Sequence, residues 1–163
     1  MIQMALAALK TQLKNFVQSM FDEGVLDSQF SQIQALQDSS NPNFVDEVIT
    51  LFCTDAERII TELNKYLGYQ SVDFSKLDTY VHQLKGSSSS IGAHRLKLAC
   101  VNLRQASDDR SKEGCVRALN SITREYCLLR SKFQTLIQVT HDLIVFVIRM
   151  IGLKLSDIMV KTL

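Results

Sequence analysis

The sequence predicts an all-α protein: an antiparallel four-helix bundle with two additional N-terminal helices and an atypical C-terminal tail. Three observations carry this. Apolar residues recur at three-and-four spacing through most of the chain. Glycine and proline are scarce, six and one in 163 residues, too few for the many tight turns of a sandwich or barrel. The breaks between the last four periodic segments are short, which makes consecutive helices antiparallel neighbours.

The length suits one domain with a real core. A hydrophobic content of 46% argues against disorder, and a net charge of +1 leaves no basic footprint for nucleic acid. Cys53, Cys100, Cys115 and Cys127 form no CxxC pair and read as reduced, mostly buried thiols. Cys115 falls near a predicted helix start, where a thiol can be activated, so a redox role stays open there. No short-spaced His or Cys pair supplies a metal site. Met1 to Lys10 lacks the basic start and long apolar core of a signal peptide, which points to an intracellular protein.

The elements follow in order. A first helix spans residues 2 to 22 on Leu6, Leu9, Leu13, Phe16, Val17, Met20 and Phe21, and Gly24 stops it. Asp27 caps a second helix to about residue 38, with Phe30, Ile33 and Leu36 inside. The break at Asp38-Ser39-Ser40-Asn41-Pro42 suggests Asn41 as the cap of a third helix and Pro42 in its first turn. That helix runs to Leu67 on Phe44, Val48, Leu51, Phe52, Ile59, Leu63 and Tyr66.

Asp73 starts a fourth helix that ends near Ile91, where Gly92 marks a turn. A fifth, from about Ala93 to Ser107, buries Leu96, Ala99, Cys100 and Leu103. Ser111 opens a sixth, through about Gln138, on Val116, Leu119, Ile122, Tyr126, Leu129, Phe133 and Leu136. Residues 1–138 form the bundle domain, and 139–163 an apolar tail. The charges in that tail leave it short of the run of about 20 apolar residues that spans a bilayer. Three placements stay open for it: a further helix on the bundle, an exposed or partner-bound tail, or a membrane-surface segment.

The fourth helix has two faces. Leu77, Tyr80, Val81, Leu84, Ser88 and Ile91 form a buried stripe. His82, Lys85, Gly86 and Ser89 lie together on the opposite side. A free imidazole titrates near ~6.5, so at neutral pH one ring nitrogen keeps a lone pair for attack on phosphorus. Lys85 is a cation one turn on, suited to phosphoryl oxygens. Gly86 leaves a notch through which another protein can approach, and Ser89 and Ser90 offer hydroxyl donors. Glycine in mid-helix costs about 1 kcal/mol relative to alanine, so Gly86 has a reason other than helix stability; a close-packed neighbour is the rival reason. An arbitrary helical histidine is more often structural. His94 lacks the glycine notch and His141 starts the tail, and both read as structural or solvent-facing. No catalytic triad, Walker loop or kinase glycine loop appears, so the chain can receive and pass on a phosphoryl group but has no recognisable ATP site.

The run Val81-His82-Gln83-Leu84-Lys85-Gly86-Ser87-Ser88-Ser89-Ser90-Ile91-Gly92-Ala93 resembles the plant histidine-containing phosphotransfer (HPt) proteins. Supporting matches are Gly24 to Phe30, Leu36 to Asp38, Asn41 to Val45 and Glu113 to Leu119, and the resemblance covers most of residues 5 to 138. It implies a phosphorelay intermediate, not an enzyme, with His82 as the phospho-accepting residue. Lys85 and Gly86 match the family's charge and notch, and Gln83 and Ser89 would support phosphate or docking. It further implies partners in the receiver domains of hybrid histidine kinases and response regulators, a place in cytokinin-type two-component signalling, and residence in cytoplasm and nucleus. No cofactor is expected on this chain; Mg²⁺ belongs to the receiver. A monomer without nucleic-acid binding or stable membrane insertion is expected. Some relatives lack the histidine and act as pseudo-carriers; this sequence keeps it. The tail departs from the family's short, polar ending. Two other classes stay in view: a non-catalytic helical adaptor, and a membrane-associated helical protein anchored by the tail.

Overall fold

A computed structural model describes residues 1–162, with the side chains of Leu155 and Ile158 outside the description. The described residues form six helices: α1 Ile2–Asp22, α2 Ser28–Leu36, α3 Phe44–Leu67, α4 Phe74–Ile91, α5 His94–Asp108 and α6 Lys112–Thr162. They divide into two compact units. One runs from Phe21 to Ser131; the other joins Met1–Met20 to the chain from Lys132 on.

In the first unit, α3, α4, α5 and the first part of α6 close into an antiparallel ring of four. Ser87 on α4 reaches Asp55 on α3 (Oγ to Oδ2, 3.2 Å), and the rings of Tyr66 and Tyr80 stack at 5.6 Å. Arg95 on α5 pairs with Glu125 on α6 at 2.8 Å. The Tyr126 hydroxyl of α6 donates to Glu57 Oε1 on α3 at 2.8 Å and lies 3.2 Å from the Cys53 carbonyl. Burial, and then the bond to Glu57, push that hydroxyl above its ordinary range. Between the helices lie Ile59, Leu63, Leu77, Leu84, Leu96, Leu103, Ile122 and Leu129, all essentially inaccessible. Each such side chain contributes roughly 1.5–3 kcal/mol relative to exposure.

Of the four helix starts where the sequence offers a capping side chain, three have it. Asp27 accepts from Gln29 N–H, Asp73 from Lys76 N–H, and Ser111 Oγ from Gly114 N–H. At α3 the expected cap fails. Asn41 Oδ1 turns back to accept from Asp38 N–H, and α3 begins at Phe44, two residues after Pro42. Gln37, beyond the end of α2, supplies the missing acceptor: its Oε1 takes Val45 N–H at 2.9 Å. Asp38 is committed locally as well, accepting from Ser40 Oγ and N–H, and those bonds hold its carboxyl below the usual range.

Gly92 closes α4 in the left-handed region, at φ 82°. It is also where α2 docks: Asp27 N–H donates to Gly92 O at 2.9 Å. A Cβ on Gly92 would stand 2.6 Å from Phe30 N and 2.8 Å from Asp27 Oδ1.

Three of the predicted stripe positions are exposed. In α3 the buried set is Val45, Ile49, Phe52, Ala56, Ile59, Ile60, Leu63 and Leu67, and Leu51 is 71% exposed. The register starts one residue later than Phe44 because the helix enters through Gln37 and Val45. Leu36, at the end of α2, is exposed, and Val116 is exposed where its neighbour Cys115 points inward.

In the second unit, α6 does not stop near Gln138. It continues as one helix to Thr162, because residues 139–162 contain no proline and their one glycine, Gly152, leaves the helix intact. The tail, apart from Leu163, which lies outside the described residues, is therefore helix. No helix of the described residues is long and apolar enough to cross a membrane.

Candidate functional site

The site is built on α4. Asp73 fixes its start and Gly92 its end, and Leu77, Val81, Leu84, Ser88 and Ile91 are buried against the neighbouring helices. That anchoring sets the opposite face toward solvent. His82, Gln83 and Gly86 are exposed there, and Lys85 and Ser89 are half-buried. Tyr80, predicted in the stripe, lies at its edge and stacks on Tyr66.

His82 makes no hydrogen bond or ion pair with any described residue. A structural histidine earns its place through such a bond or through burial, and His82 has neither. His94 differs: its Nδ1 lies 3.8 Å from Asp27 Oδ2, beside the docked end of α2. Lys85 likewise has no ion pair among the described residues, and its charge opposes, without cancelling, the rise that burial gives the Cys100 thiol.

Gly86 settles the choice between its two reasons. A Cβ built there would meet no atom within 4 Å, so no intramolecular neighbour demands glycine. The cost of glycine in mid-helix has no return within the described chain.

The four consecutive serines have four different surroundings. Ser87 donates across to Asp55. Ser88 is fully buried, and its hydroxyl has no partner among the described residues. Ser89 stays half-exposed on the His82 face. Ser90 donates back to the Gly86 carbonyl at 3.0 Å, so its proton is already committed. Of the two hydroxyls expected to be available, only that of Ser89 is.

Periodicity missed the flank of this face. Val48, Leu51, Phe52 and Asp55 on α3 and Ser87, Ser90 and Ile91 on α4 line an open groove of about 520 Å³. Leu51 projects from its rim. The signal available in the sequence was Val45 and Ile49, which offer a second, equally regular α3 stripe that frees Leu51.

The thiols carry no sign of activation. Cys100 and Cys115 are buried; burial pushes Cys100 up to about 12 and raises Cys115, whose charge the Asp78 carboxylate further opposes. No group of three or more His, Cys, Asp or Glu side chains among the described residues is arranged to hold a metal ion.

Fold and site together define a small helical-bundle domain that presents one unpartnered imidazole on an uncrowded helix face. Comparison with known proteins places that class. The family model described as Hpt domain matches residues 47–139. A protein of rice (Oryza sativa subsp. japonica) named histidine-containing phosphotransfer protein 1 is 49% identical, over 86% of this chain and 95% of its own length. The Arabidopsis thaliana protein of the same name is 46% identical over 86% and 92%. The crystal structure of a maize histidine-containing phosphotransfer protein superposes with a TM-score of 0.79 at 49% identity, covering 82% of this chain and 98% of the maize chain. The chain belongs to the histidine-containing phosphotransfer family.

Proposed function

We propose that this protein relays a phosphoryl group between receiver-domain aspartates through His82, from a hybrid histidine kinase to a response regulator. The observation that carries the proposal is the pairing of an exposed, unpartnered His82 with a Gly86 that no intramolecular contact requires.

The chemistry needs little from this chain. The lone-pair nitrogen of His82 attacks phosphorus in an aspartyl phosphate of the docked receiver. The P–N bond forms as the acyl P–O bond breaks, and the aspartate leaves as carboxylate. The ring's other N–H carries the developing positive charge. The reverse sequence delivers the group to the next receiver. The receiver supplies Mg²⁺ and its acidic pocket. Lys85 faces the phosphoryl oxygens, Ser89 donates to them or to the partner, and Gln83 borders the docking face. Gly86 lets the receiver's backbone close on the imidazole. Apolar docking area comes from Leu51 and Val48 across the groove, with Leu36 of α2 as the exposed residue of the N-terminal helices in this unit. Transfer in both directions calls for a transient interface of modest area.

The relatives' plant origin supports a cytokinin-type relay, with the protein moving between cytoplasm and nucleus. The family supports a carrier role, and a single α4 presents His82, Lys85, Gly86 and Ser89 together on one face. The deciding experiment incubates a purified, phosphorylated receiver domain with wild type and His82→Gln, with Mg²⁺ present. Wild type should acquire an acid-labile, base-stable phosphoryl group and the variant none. Labelling of both would sink the assignment, and labelling of neither by any receiver would favour a non-catalytic adaptor.

A further inference from the structure

Between the start of α4 and the turn that joins α5 to α6 lies a second cavity, of about 480 Å³, which phosphotransfer does not use. Asp73, Asp78, Ser107, Asp108 and Arg110 line it, together with Val72 and Phe74. Three carboxylates against one guanidinium leave the lining net negative. None of the three is ion-paired among the described residues, and the Arg110 guanidinium rests on the Phe74 ring, 5.5 Å from its centroid. Asp73 gives one oxygen to the Lys76 N–H at the start of α4. Two atoms of the lining residues, Asp78 Oδ1 and Ser107 Oγ, are buried and bonded to no described residue. Ser107 as a whole is 2% exposed. A buried polar atom left unbonded costs about 1–3 kcal/mol, so two of them on one cavity are a demand that the fold itself does not meet. A carboxylate oxygen only accepts, and a serine oxygen accepts as readily as it donates, so both are answered by a hydrogen-bond donor.

We propose that this cavity binds a small aliphatic diamine or polyamine, with one ammonium held by Asp78 and Ser107 and another by the more exposed Asp73 and Asp108. The charge of the lining and the need for donors select a cationic N–H group. A metal ion fits less well, because no three acidic, histidine or cysteine side chains among the described residues converge on one point. The carboxylates are spread instead. Asp73 and Asp78 are five residues apart, about 7.5 Å along a helix axis, a span comparable to that of a four-carbon diamine. A single ammonium, such as a partner's lysine would bring, leaves one end of that span unanswered. Val72 and Phe74 give the methylenes between two ammonium groups an apolar wall. The Phe74 ring already attracts one cation, Arg110, to its face. An anion drawn to the start of α4 by the helix dipole meets the three carboxylates and is repelled.

The test is calorimetric titration of the full chain with 1,4-diaminobutane, with n-butylamine and Mg²⁺ titrated in parallel. Wild type should bind the diamine saturably, one per chain, and more tightly than either of the others. Asp78→Asn keeps the shape of the side chain and breaks no bond to a described residue, so it should fold and bind roughly tenfold more weakly or worse, the worth of a charge-assisted hydrogen bond. Ser107→Ala should weaken binding a few-fold, and it carries the test alone if Asp78→Asn proves unstable. Asp157→Asn, which removes an exposed carboxylate of α6 far along the sequence from the cavity, should bind as wild type does. No saturable binding of the diamine overturns the proposal and leaves the cavity to water. Butylamine bound as tightly overturns the two-ammonium reading, and Mg²⁺ bound more tightly assigns the carboxylates to a metal. A loss in Asp157→Asn as large as in Asp78→Asn would mean diffuse surface charge and equally overturn it. Phosphoryl transfer is read separately, so failure here leaves the role of His82 untouched.

Discussion

His82 and Gly86 stand one helical turn apart on the exposed face of α4, and a methyl group at Gly86 would touch nothing within 4 Å. Two substitutions separate what this costs from what it permits. Gly86→Ala should stabilise the isolated protein by roughly 0.5–1 kcal/mol, read as a raised urea midpoint, since only helix propensity changes. Gly86→Leu should fold as well as wild type yet lose phosphoryl transfer, because its side chain occupies the space the receiver needs. Undiminished transfer in Gly86→Leu would remove the notch from the mechanism.

Lys85 tests the electrostatic half of the site. It has no ion pair among the described residues, so its removal breaks no fold contact of that kind. A solvent-screened charge contact is worth about 1 kcal/mol, equivalent to roughly fivefold in rate. Lys85→Ala should therefore slow transfer by about that factor, or shorten the phosphohistidine lifetime similarly, with thermal stability unchanged. Equal rates and lifetimes would reduce Lys85 to a solvated charge.

Gly92 is the opposite kind of glycine. Its φ of 82° strains any other residue, and a Cβ would collide with the backbone of Phe30. Gly92→Ala should destabilise the protein by about 1–3 kcal/mol, and part of the loss should appear as local opening of α2 in hydrogen exchange. A neutral result would show that α2 does not need its present seat on the end of α4.

These two glycines show what the sequence made legible. Gly92 stood between two periodic segments, so a turn was readable there, but its contact with α2 joins residues more than sixty positions apart and leaves no local pattern. The two faces of α4 were readable because a stripe of Leu77, Val81, Leu84 and Ile91 admits one register. α3 admitted two, since Phe44, Val48 and Leu51 are as apolar as Val45 and Ile49; the entry through Gln37 decides between them. The cap at Asn41 failed for the same reason: a nonlocal acceptor displaced a local one. Continuity of α6 past Gln138 was obscured by a β-branched run that reads equally well as a separate segment, although nothing in it breaks a helix.

The buried thiols make alkaline stability a test of the core. Cys100 is inaccessible, and burial pushes its pKa from 9.0 up to about 12 against the opposing Lys85 ammonium. Below about pH 9 the thiol is protonated in both states and contributes no pH dependence. Between about 9 and 12 the unfolded chain releases the proton while the folded chain keeps it. The unfolded state then binds fewer protons, so stability falls as pH rises, by up to about 1.4 kcal/mol per pH unit for one group. Cys115 and Cys53 are raised as well and act in the same direction. Urea midpoints should hold steady from pH 7 to 8.5 and decline above, and Cys100→Ala should flatten the decline although it lowers the baseline through lost packing. Alkylation gives an independent reading at pH 8. Iodoacetamide should modify exposed Cys127 readily and reach Cys100 and Cys115 only on unfolding. Cys115 labelled as fast as Cys127 in the folded protein would contradict its burial and reopen the redox reading of that thiol.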